Sequence, residues 1–356
     1  MGGCHQRSWA GSPLERRFAK VGTMHRTLGL LAAVLALGAA TAHAGPKEAC
    51  DYSAQYDGVS CIVMLDGKVV AETYSGSGAA DKAWGLASGT KSFSGVAAAA
   101  AVQDGLFKLD DKVASILTEW QADGRRDITI RQLLSLTSGI KTPEPLKQLR
   151  VSFAEAVAMP LEHPPGSHYA YGQVPFQIFA AMMERRLGGE KYLAYLERRY
   201  LNALGIKLTL REGLFAGDPS WGGGGIMTAR DWAVFGEFVR QGGIWNGKQL
   251  VDAAALAENF KGSPVHGGYG LTWWLKAPKG ATVPTSGTTI NATDFYKGGT
   301  DALPVGEVWM AAGAGKQRLM IVPERRMVVV RQTSKMLMGE RTKFSDVEFL
   351  RLLLAP

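Results

Sequence analysis

Apolar and polar positions follow a strand-like pattern at both ends of this chain. Near the start, residues 61–74 (CIVMLDGKVVAETY) form two apolar runs around an Asp-Gly pair, a pattern typical of a β-hairpin. Near the end, short apolar runs at 306–313, 317–323 and 326–332 are separated by Gly, Pro and charged residues. These runs predict three further strands.

The middle of the chain has helical spacing instead. Residues 96–105 and 175–188 place apolar residues at helical intervals, and each segment ends at a glycine. Residues 128–140 begin extended and continue as a short helix. Residues 222–243 begin with a glycine run and continue as an amphipathic helix, for which Thr228 is the expected N-cap.

Strands at both ends with helices between them predict an α+β fold. An amphipathic helix over 346–354 ends the chain. This order favours an antiparallel sheet built from both chain ends, with flanking helices and an inserted, mostly α-helical region. Because we find no internal repeat and no low-complexity linker, we expect residues 45–356 to form a single domain.

Residues 1–44 have the features of an export leader. A short basic segment, MHRT, precedes an apolar run at 28–42, and the small-x-small sequence AHA predicts cleavage after Ala44. Met24 is then the expected translation start. A membrane anchor is the alternative, but the apolar run is short and rich in Ala and Gly. We therefore expect a periplasmic or secreted protein without stable membrane insertion after cleavage.

Composition and charge exclude a nucleic-acid partner. The chain has 356 residues, of which 46% are hydrophobic and 20% charged, as in soluble globular proteins. Of the formal charge of +8, only +4 remains after the leader, which holds five basic residues and one acidic residue. We find no basic run interleaved with aromatic residues.

The cysteines predict a disulfide. Cys4 is lost with the leader, which leaves Cys50 and Cys61 as an even pair in an exported protein. Two free buried thiols are the alternative.

The segment LASGTKSFSG (86–95) places a lysine inside an apolar stretch. On a helix, Ser88 and Lys91 share a face, one turn apart. A serine needs a base to become a nucleophile, and a lysine can act as that base when burial lowers its pKa. The spacing S-x-x-K also arises by chance, so a capping serine beside a surface lysine is the alternative.

Other catalytic patterns fit poorly. The chain has no G-x-S-x-G sequence. The histidines after the leader, His163, His168 and His266, do not have metal-ligand spacing. The glycine run at 222–225 is not followed by a phosphate-binding lysine, so it predicts a flexible turn or a close backbone approach. We expect no metal and no organic cofactor.

Four segments resemble, in sequence and in order, the serine β-lactamase-related hydrolases. They are LASGTKSFSGVAAAAAVQDGLFKLDDKV, ITIRQLLSLTSGI, PPGSHYAYGQVPFQIFA and GGGGIMTARDWAVFG. This group includes class C β-lactamases, D-alanyl-D-alanine carboxypeptidases, family VIII esterases and 6-aminohexanoate-dimer hydrolases, and the resemblance covers about residues 55–335. It implies the β-lactamase/transpeptidase-like fold and an acyl-enzyme mechanism on a small ester, amide or peptide.

The resemblance also implies roles for individual residues. Ser88 would be the acylated nucleophile and Lys91 its proton partner. Tyr171, in the family's Y-x-N block, would be the second proton-transfer residue, with its phenol near cationic Lys91 to reach a useful pKa. The backbone N–H groups of Ser88 and Ala314 would form the oxyanion hole.

Two positions depart from the family pattern. Gln173 stands in place of the Asn of Y-x-N, and Ala311 stands in place of the Lys or His that begins the third block, here AAG. A cation at that position often holds a substrate carboxylate in the family. Its loss disfavours β-lactams and D-Ala termini unless Lys316 or Arg318 replaces it.

The substrate pocket is expected to include Gly313 of the third block and nearby aromatic residues. Tyr269, Trp273, Trp274 and Trp309 are the candidates for its rim, and at least two of these four are expected in the core instead.

The function predicted from the sequence is that of an exported serine hydrolase. A small-ester or small-amide hydrolase ranks above a β-lactamase or D-Ala-D-Ala carboxypeptidase because of Ala311. An alternative of another class is a catalytically inactive relative that binds cell-wall peptide or acts as a scaffold. The presence of Ser88, Lys91 and Tyr171 together argues against it, because a scaffold does not need all three.

Overall fold

A six-stranded antiparallel sheet takes strands from both ends of the part of the chain that the structure describes. The computed structural model describes residues 44–148, 151–212, 217–277, 282, 303–335 and 343–355. All but the last residue of the predicted leader at 1–44, with the expected start at Met24, therefore lies outside the described residues. In spatial order the strands are β2 (Lys68–Tyr74), β1 (Gly58–Leu65), β11 (Met327–Thr333), β10 (Gln317–Val322), β9 (Trp309–Gly313) and β8 (Trp274–Leu275).

The two chain ends meet where β1 pairs with β11. In this antiparallel register Ile62 lies opposite Val330, and Val63 lies opposite Val329. All four side chains are buried. Both faces of these strands are covered by helices, which is why the strands carry apolar residues on both faces. The predicted sheet from both termini, the hairpin of β1 and β2 and the three late strands are therefore confirmed.

Shorter strands form two further sheets in the described residues. The first contains β3 (Trp84–Gly85), β5 (Gly225–Met227) and β4 (Thr209–Leu210), and the second pairs β6 (Ile244–Trp245) with β7 (Lys248–Gln249). The glycine run was expected to be a turn or a close backbone approach. Both are present, since a Cβ atom would lie 2.4 Å from Gln173 at Gly222 and 2.7 Å from Thr90 at Gly225. Gly225 also begins β5, which pairs with β3, directly before the segment that carries Ser88.

Helices cover both faces of the main sheet and form the inserted region. They are α1 (Pro46–Gln55), α2 (Lys91–Gln103), α3 (Ile130–Leu134), α4 (Pro145–Gln148), α5 (Phe153–Ala158), α6 (Val174–Arg186), α7 (Tyr192–Leu196), α8 (Asn202–Leu204), α9 (Ala229–Arg240), α10 (Ala253–Ala257) and α11 (Asp346–Leu354). A π-helical turn, Glu197–Leu201, joins α7 to α8.

The main sheet lies between α9 on one face and α1 with α11 on the other. A Cβ atom on Gly236 of α9 would lie 2.5 Å from Leu319 and 2.7 Å from Val328, so this glycine lets the helix approach the sheet closely. Residues next to each other on a strand point to opposite faces. Arg318 and Arg331 therefore point away from α9, toward α11.

The predicted helix boundaries agree with the structure where local signals are strong. Helix α9 begins after Thr228, whose Oγ1 accepts a hydrogen bond from the Asp231 N–H at 3.0 Å. Helix α11 has the predicted bounds, and Ser345 caps it. Helix α2 begins at Lys91, five residues earlier than the apolar periodicity indicated, and almost all of it is buried.

Cys50 on α1 and Cys61 on β1 are bonded in the structure, with their Cα atoms 5.4 Å apart. The bond ties the first described helix to a central strand. In the described part of the chain no helix is both long and apolar enough to cross a membrane.

Candidate active site

Ser88 lies in a single 3-10 turn directly before α2, and β5 fixes this turn on both sides. The preceding residue, Ala87, has φ of 47°, which non-glycine residues adopt rarely. The Leu86 N–H donates to the Gly225 carbonyl at 2.7 Å, and the Gly225 N–H donates to Thr90 Oγ1 at 2.8 Å. The chain is thus held on either side of the serine, which leaves its side chain half-buried.

Lys91 is buried beside Ser88. Its Nζ lies 3.0 Å from Ser88 Oγ and donates a hydrogen bond to the Gly222 carbonyl oxygen. The side chain passes between two rings, with Nζ 5.0 Å from the centroid of Tyr171 and 5.3 Å from that of Phe176. The residue is 1% exposed, so the alternative of a surface lysine beside a capping serine is wrong.

The burial of Lys91 sets its protonation. Removal from water disfavours the ammonium and lowers its pKa to about 7. A neutral amine keeps two N–H groups and one lone pair. Because the Gly222 carbonyl takes one N–H, the lone pair is available to accept the proton of the Ser88 hydroxyl.

Tyr171 approaches Ser88 with its phenol. Ser88 and Trp274 are the side chains that interact with the phenol, and both interactions favour its ionised form. Burial raises the pKa of Tyr171 to about 12. The expectation that cationic Lys91 tunes this phenol is wrong in direction, because Nζ lies over the ring face and burial dominates. Tyr171 therefore stays protonated and can donate.

Gln173 does not take the place of the family's asparagine beside the lysine. A Cβ atom on Gly222 would lie 2.4 Å from Gln173 Cβ, so the aliphatic part of Gln173 packs directly on the glycine run. Among the described residues the recorded hydrogen-bond partners of Lys91 are Ser88 and Gly222. The backbone carbonyl of Gly222 thus has a role that sequence reasoning missed.

Gly313 brings the end of β9 against the turn that carries Ser88. A Cβ atom at this position would lie 2.1 Å from the Leu86 carbonyl oxygen, so only glycine fits. The next residue, Ala314, is exposed and follows the last pair of β9 with β10, Gly313 with Gln317. The backbone of Ala314 therefore begins beside the nucleophile turn, as an oxyanion donor requires.

The two candidates for a replacement cation bind the same carboxylate. Lys316 Nζ lies 3.1 Å from Asp346 Oδ2, and Arg318 Nε lies 2.7 Å from Asp346 Oδ1. Ala311 is 2% exposed and lies opposite Leu319, on the face of the sheet that α9 covers. This burial leaves little of its methyl group for a substrate to touch.

Trp274 and Tyr269 are the candidate rim residues that contact Tyr171. The ring centroids of Tyr171 and Trp274 are 5.3 Å apart, and those of Tyr171 and Tyr269 are 6.2 Å apart. Both side chains are almost fully buried, so they support the Tyr171 ring and are not exposed on the rim of a pocket.

Trp273 and Trp309 are directed elsewhere. Trp273 is fully buried and stacks on Phe235 of α9 at 6.3 Å, which makes it a core residue. Trp309 stacks on Phe260 at 3.6 Å, at the opposite end of β9 from Gly313. The expectation that at least two of the four aromatics are buried in the core is confirmed.

The described residues contain no group of three or more His, Cys, Asp or Glu side chains that could hold a metal ion. His163 and His168 pack ring against ring at 4.4 Å.

A family model described as Beta-lactamase matches residues 39–345. The chain belongs to the beta-lactamase family. Together with this fold, membership supports a serine hydrolase whose substrate class is open. In sequence, Protein flp of Staphylococcus aureus (strain MW2) is 28% identical over 171 residues. That match covers 43% of this chain and 34% of Protein flp, so the chain matches about a third of the length of this curated relative.

Solved structures of the family have the same fold. A family VIII carboxylesterase superposes with a TM-score of 0.65 at 17% identity, over 87% of this chain and 96% of the esterase. A penicillin-binding protein homologue from Caulobacter crescentus superposes with a TM-score of 0.64 at 16% identity, over 87% of this chain and 96% of the homologue. At these identities the likeness shows the fold, and it confirms the β-lactamase/transpeptidase-like architecture.

Proposed function

We propose that this member of the beta-lactamase family is an exported serine hydrolase that forms an acyl-enzyme on Ser88 and acts on small neutral esters or amides. One observation carries the proposal: a buried Lys91 Nζ lies 3.0 Å from Ser88 Oγ, and burial lowers the pKa of that lysine to about 7. A base with this pKa is half neutral near physiological pH, where general-base catalysis is most efficient.

In acylation, neutral Lys91 accepts the Ser88 proton while Oγ attacks the substrate carbonyl carbon. The carbonyl oxygen becomes negative and is stabilised by the N–H groups of Ser88 and Ala314. When the tetrahedral intermediate collapses, Tyr171 gives its phenolic proton to the departing oxygen or nitrogen. The Lys91 ammonium then gives its proton to the Tyr171 phenolate, so both groups recover their starting forms.

In deacylation, water attacks the acyl carbon and gives its proton to Lys91. The same two N–H groups stabilise the second oxyanion. The intermediate collapses with departure of Ser88 Oγ, which takes the proton back as the acid product leaves.

The charges around the site favour neutral substrates. A charge-assisted hydrogen bond to a substrate carboxylate contributes about 1.5–3 kcal/mol. That corresponds to roughly tenfold to hundredfold in affinity or rate. Ala311 offers no such donor, and Lys316 and Arg318 are both engaged by buried Asp346. Substrates that depend on a carboxylate anchor, such as β-lactams and D-Ala-D-Ala peptides, should therefore be poor.

Export is supported by the leader and by the cysteines. Cleavage after Ala44 would leave a chain that begins one residue before α1. The bonded pair of Cys50 and Cys61 fits a periplasmic or extracellular compartment, where disulfides persist.

A fluorophosphonate probe tests the nucleophile. We expect the protein to be labelled, with the adduct mapped to Ser88 by peptide mass spectrometry. Ser88→Ala should abolish labelling and leave the melting temperature unchanged. The control is Ser94→Ala, which alters a buried serine on α2 and should still be labelled. An adduct on Ser92 or Ser94 would contradict the assignment.

A substrate panel tests the class. Short p-nitrophenyl esters should exceed a chromogenic β-lactam and a D-Ala-D-Ala peptide in kcat/KM by at least about tenfold. Faster turnover of the β-lactam would refute this ranking. A folded protein that is not labelled, turns over none of the three and binds cell-wall peptide would instead support the inactive relative.

A further inference from the structure

We propose that Arg318, held in place by Asp346, is a positioning residue that aims the Ala314 N–H at the developing oxyanion. This inference rests on the proposed function, because it concerns the oxyanion hole of the same site. It assigns a role to a buried ion pair on the face of the sheet opposite α9.

The contact that carries the inference is made at one peptide unit. Arg318 Nη1 donates to the Gly313 carbonyl oxygen at 3.0 Å. The Gly313 carbonyl and the Ala314 N–H belong to the same planar, trans peptide, so they point in opposite directions. A side chain that fixes the carbonyl therefore also fixes the direction of the N–H.

This peptide lies at the end of β9, where the pairing with β10 stops. The last pair between β9 and β10 is Gly313 with Gln317. Between them the chain turns through Gly315 and Lys316, whose φ values are 71° and 66°. On its other side, the described residues of β8 pair with β9 at Trp309 and Met310. The arginine thus restrains the carbonyl of the last paired residue of β9 in addition to the strand ladder.

The arginine itself is anchored on two atoms. Nε lies 2.7 Å from Asp346 Oδ1 and Nη2 lies 3.1 Å from Oδ2, a bidentate arrangement. Nη1 then donates to two carbonyl oxygens, those of Gly313 at 3.0 Å and of Gln317 at 2.9 Å. Arg318 is 1% exposed and Asp346 is fully buried. Burial alone would raise the pKa of Asp346, but the nearby Arg318 and Lys316 charges outweigh it and lower that pKa, so the carboxylate is ionised at neutral pH.

Arg318 affects the Ala314 amide through its charge as well as through its position. A cationic donor on the carbonyl oxygen draws electron density from the peptide and makes the N–H on its other side a stronger donor. In the transition state that N–H faces negative charge, and in the ground state it faces a neutral carbonyl. Loss of Arg318 should therefore lower kcat more than it raises KM.

Arg318→Lys is the main test, since lysine keeps the charge but cannot span both Asp346 and the Gly313 carbonyl. With a short p-nitrophenyl ester we expect kcat to fall about tenfold to hundredfold and KM to change little. The affinity of an aryl boronic acid, whose tetrahedral adduct on Ser88 presents an oxygen to the hole, should fall in parallel.

Two matched variants separate positioning from stability. Arg331→Lys alters another buried arginine on the same face, which donates to the Lys316 carbonyl at 2.8 Å. Lys316→Met removes the second cation from Asp346 without touching Gly313. Both should keep the kcat and the boronate affinity of the unmutated protein at a temperature where they are folded. If Arg318→Lys does not fold, Asp346→Asn gives the same test through a weakened anchor.

The outcomes are distinguishable. The inference holds if the Arg318 or Asp346 variant loses kcat and boronate affinity together while the controls do not. It is wrong if that variant keeps both and loses only melting temperature, as a structural ion pair would. An unmutated protein that neither hydrolyses esters nor is labelled at Ser88 would refute the proposed function, and the inference with it.

Discussion

Nζ of Lys91 donates a hydrogen bond to the carbonyl oxygen of Gly222, a residue 131 positions later in the chain. This contact occupies one N–H of the amine and holds Nζ 3.0 Å from Ser88 Oγ, so that its lone pair is available to the hydroxyl when the amine is neutral. The glycine run therefore takes part in orienting the base.

The glycine run should tolerate substitution at one position and not at its neighbour. A Cβ atom at Gly222 would lie 2.4 Å from Gln173 Cβ, whereas at Gly223 the nearest atom is 3.7 Å away. Gly222→Ala must displace the carbonyl that holds Lys91, so we expect kcat/KM for a short ester to fall by at least about tenfold. Gly223→Ala should stay close to the unmutated value, and equal losses in the two variants would contradict this role.

The pH dependence of kcat/KM should follow the protonation of Lys91. Only the neutral amine accepts the Ser88 proton, and burial lowers its pKa to about 7. We therefore expect kcat/KM to rise as pH increases through about 7 and then to stay level, because Tyr171 keeps its proton up to a pKa of about 12. A pH-stat assay with a short ester measures this profile, and an acidic limb centred near pH 5 would exclude Lys91 as its source.

The burial of Lys91 should also make the free energy of unfolding depend on pH. In the unfolded chain Lys91 has its ordinary pKa of about 10.4 and remains protonated at pH values where the folded protein has released the proton. Since the unfolded state then binds more protons, this group makes the free energy of unfolding rise between pH 7 and pH 10. Urea titrations at several pH values, compared with Lys91→Met, isolate this contribution. An equal slope in both proteins would contradict it.

A lysine placed at position 311 should not restore carboxylate binding. Ala311 is 2% exposed on the α9 side of the sheet, so Ala311→Lys puts a long cation into a packed space without a partner. We expect a lower melting temperature and no gain in β-lactam turnover. Ala314→Lys, at an exposed position, should keep the melting temperature. A stable Ala311→Lys protein with raised β-lactam turnover would show that the pocket reaches this strand.

The bond between Cys50 and Cys61 should contribute to stability without affecting catalysis. It closes a loop with a sequence separation of 11 residues, and loss of such a bond costs roughly 2–4 kcal/mol. Cys61 lies opposite Arg331 and so points away from α9, whereas Ala311 and Gly313, beside the nucleophile turn, are on the α9 face. Double replacement by serine should lower the free energy of unfolding and leave kcat unchanged at 25 °C. Two alkylatable thiols in protein from its native host would contradict the pairing.

Elements with strong local signals could be predicted from the sequence. Thr228 caps α9 because its hydroxyl accepts from a backbone N–H three residues away, and the apolar periodicity of 346–354 gives the bounds of α11. Ser88 and Lys91 also form a local pair, so their spacing alone indicated the contact.

The remaining features depend on contacts between distant parts of the chain. The strand character of Gly225 and the bond from Lys91 to Gly222 need a partner more than a hundred residues away. The ion pair of Arg318 with Asp346 joins two elements that have no shared sequence pattern. Local periodicity carries no information about such pairs, which is why the burial of Ala311 and the pKa direction of Tyr171 were also missed.

The pairing of β1 with β11 places the first and last of the described strands side by side inside the main sheet. Because β1 and β11 are far apart in sequence, β1 emerges from a ribosome or a translocation channel long before β11. The two strands can pair only after nearly the whole chain has emerged. Until then the face of the N-terminal hairpin opposite α1 lacks its later partner α9, and the Gly313–Ala314 peptide has not yet reached Ser88. Such non-local pairing delays folding, and it makes activity a property that only the finished polypeptide can acquire.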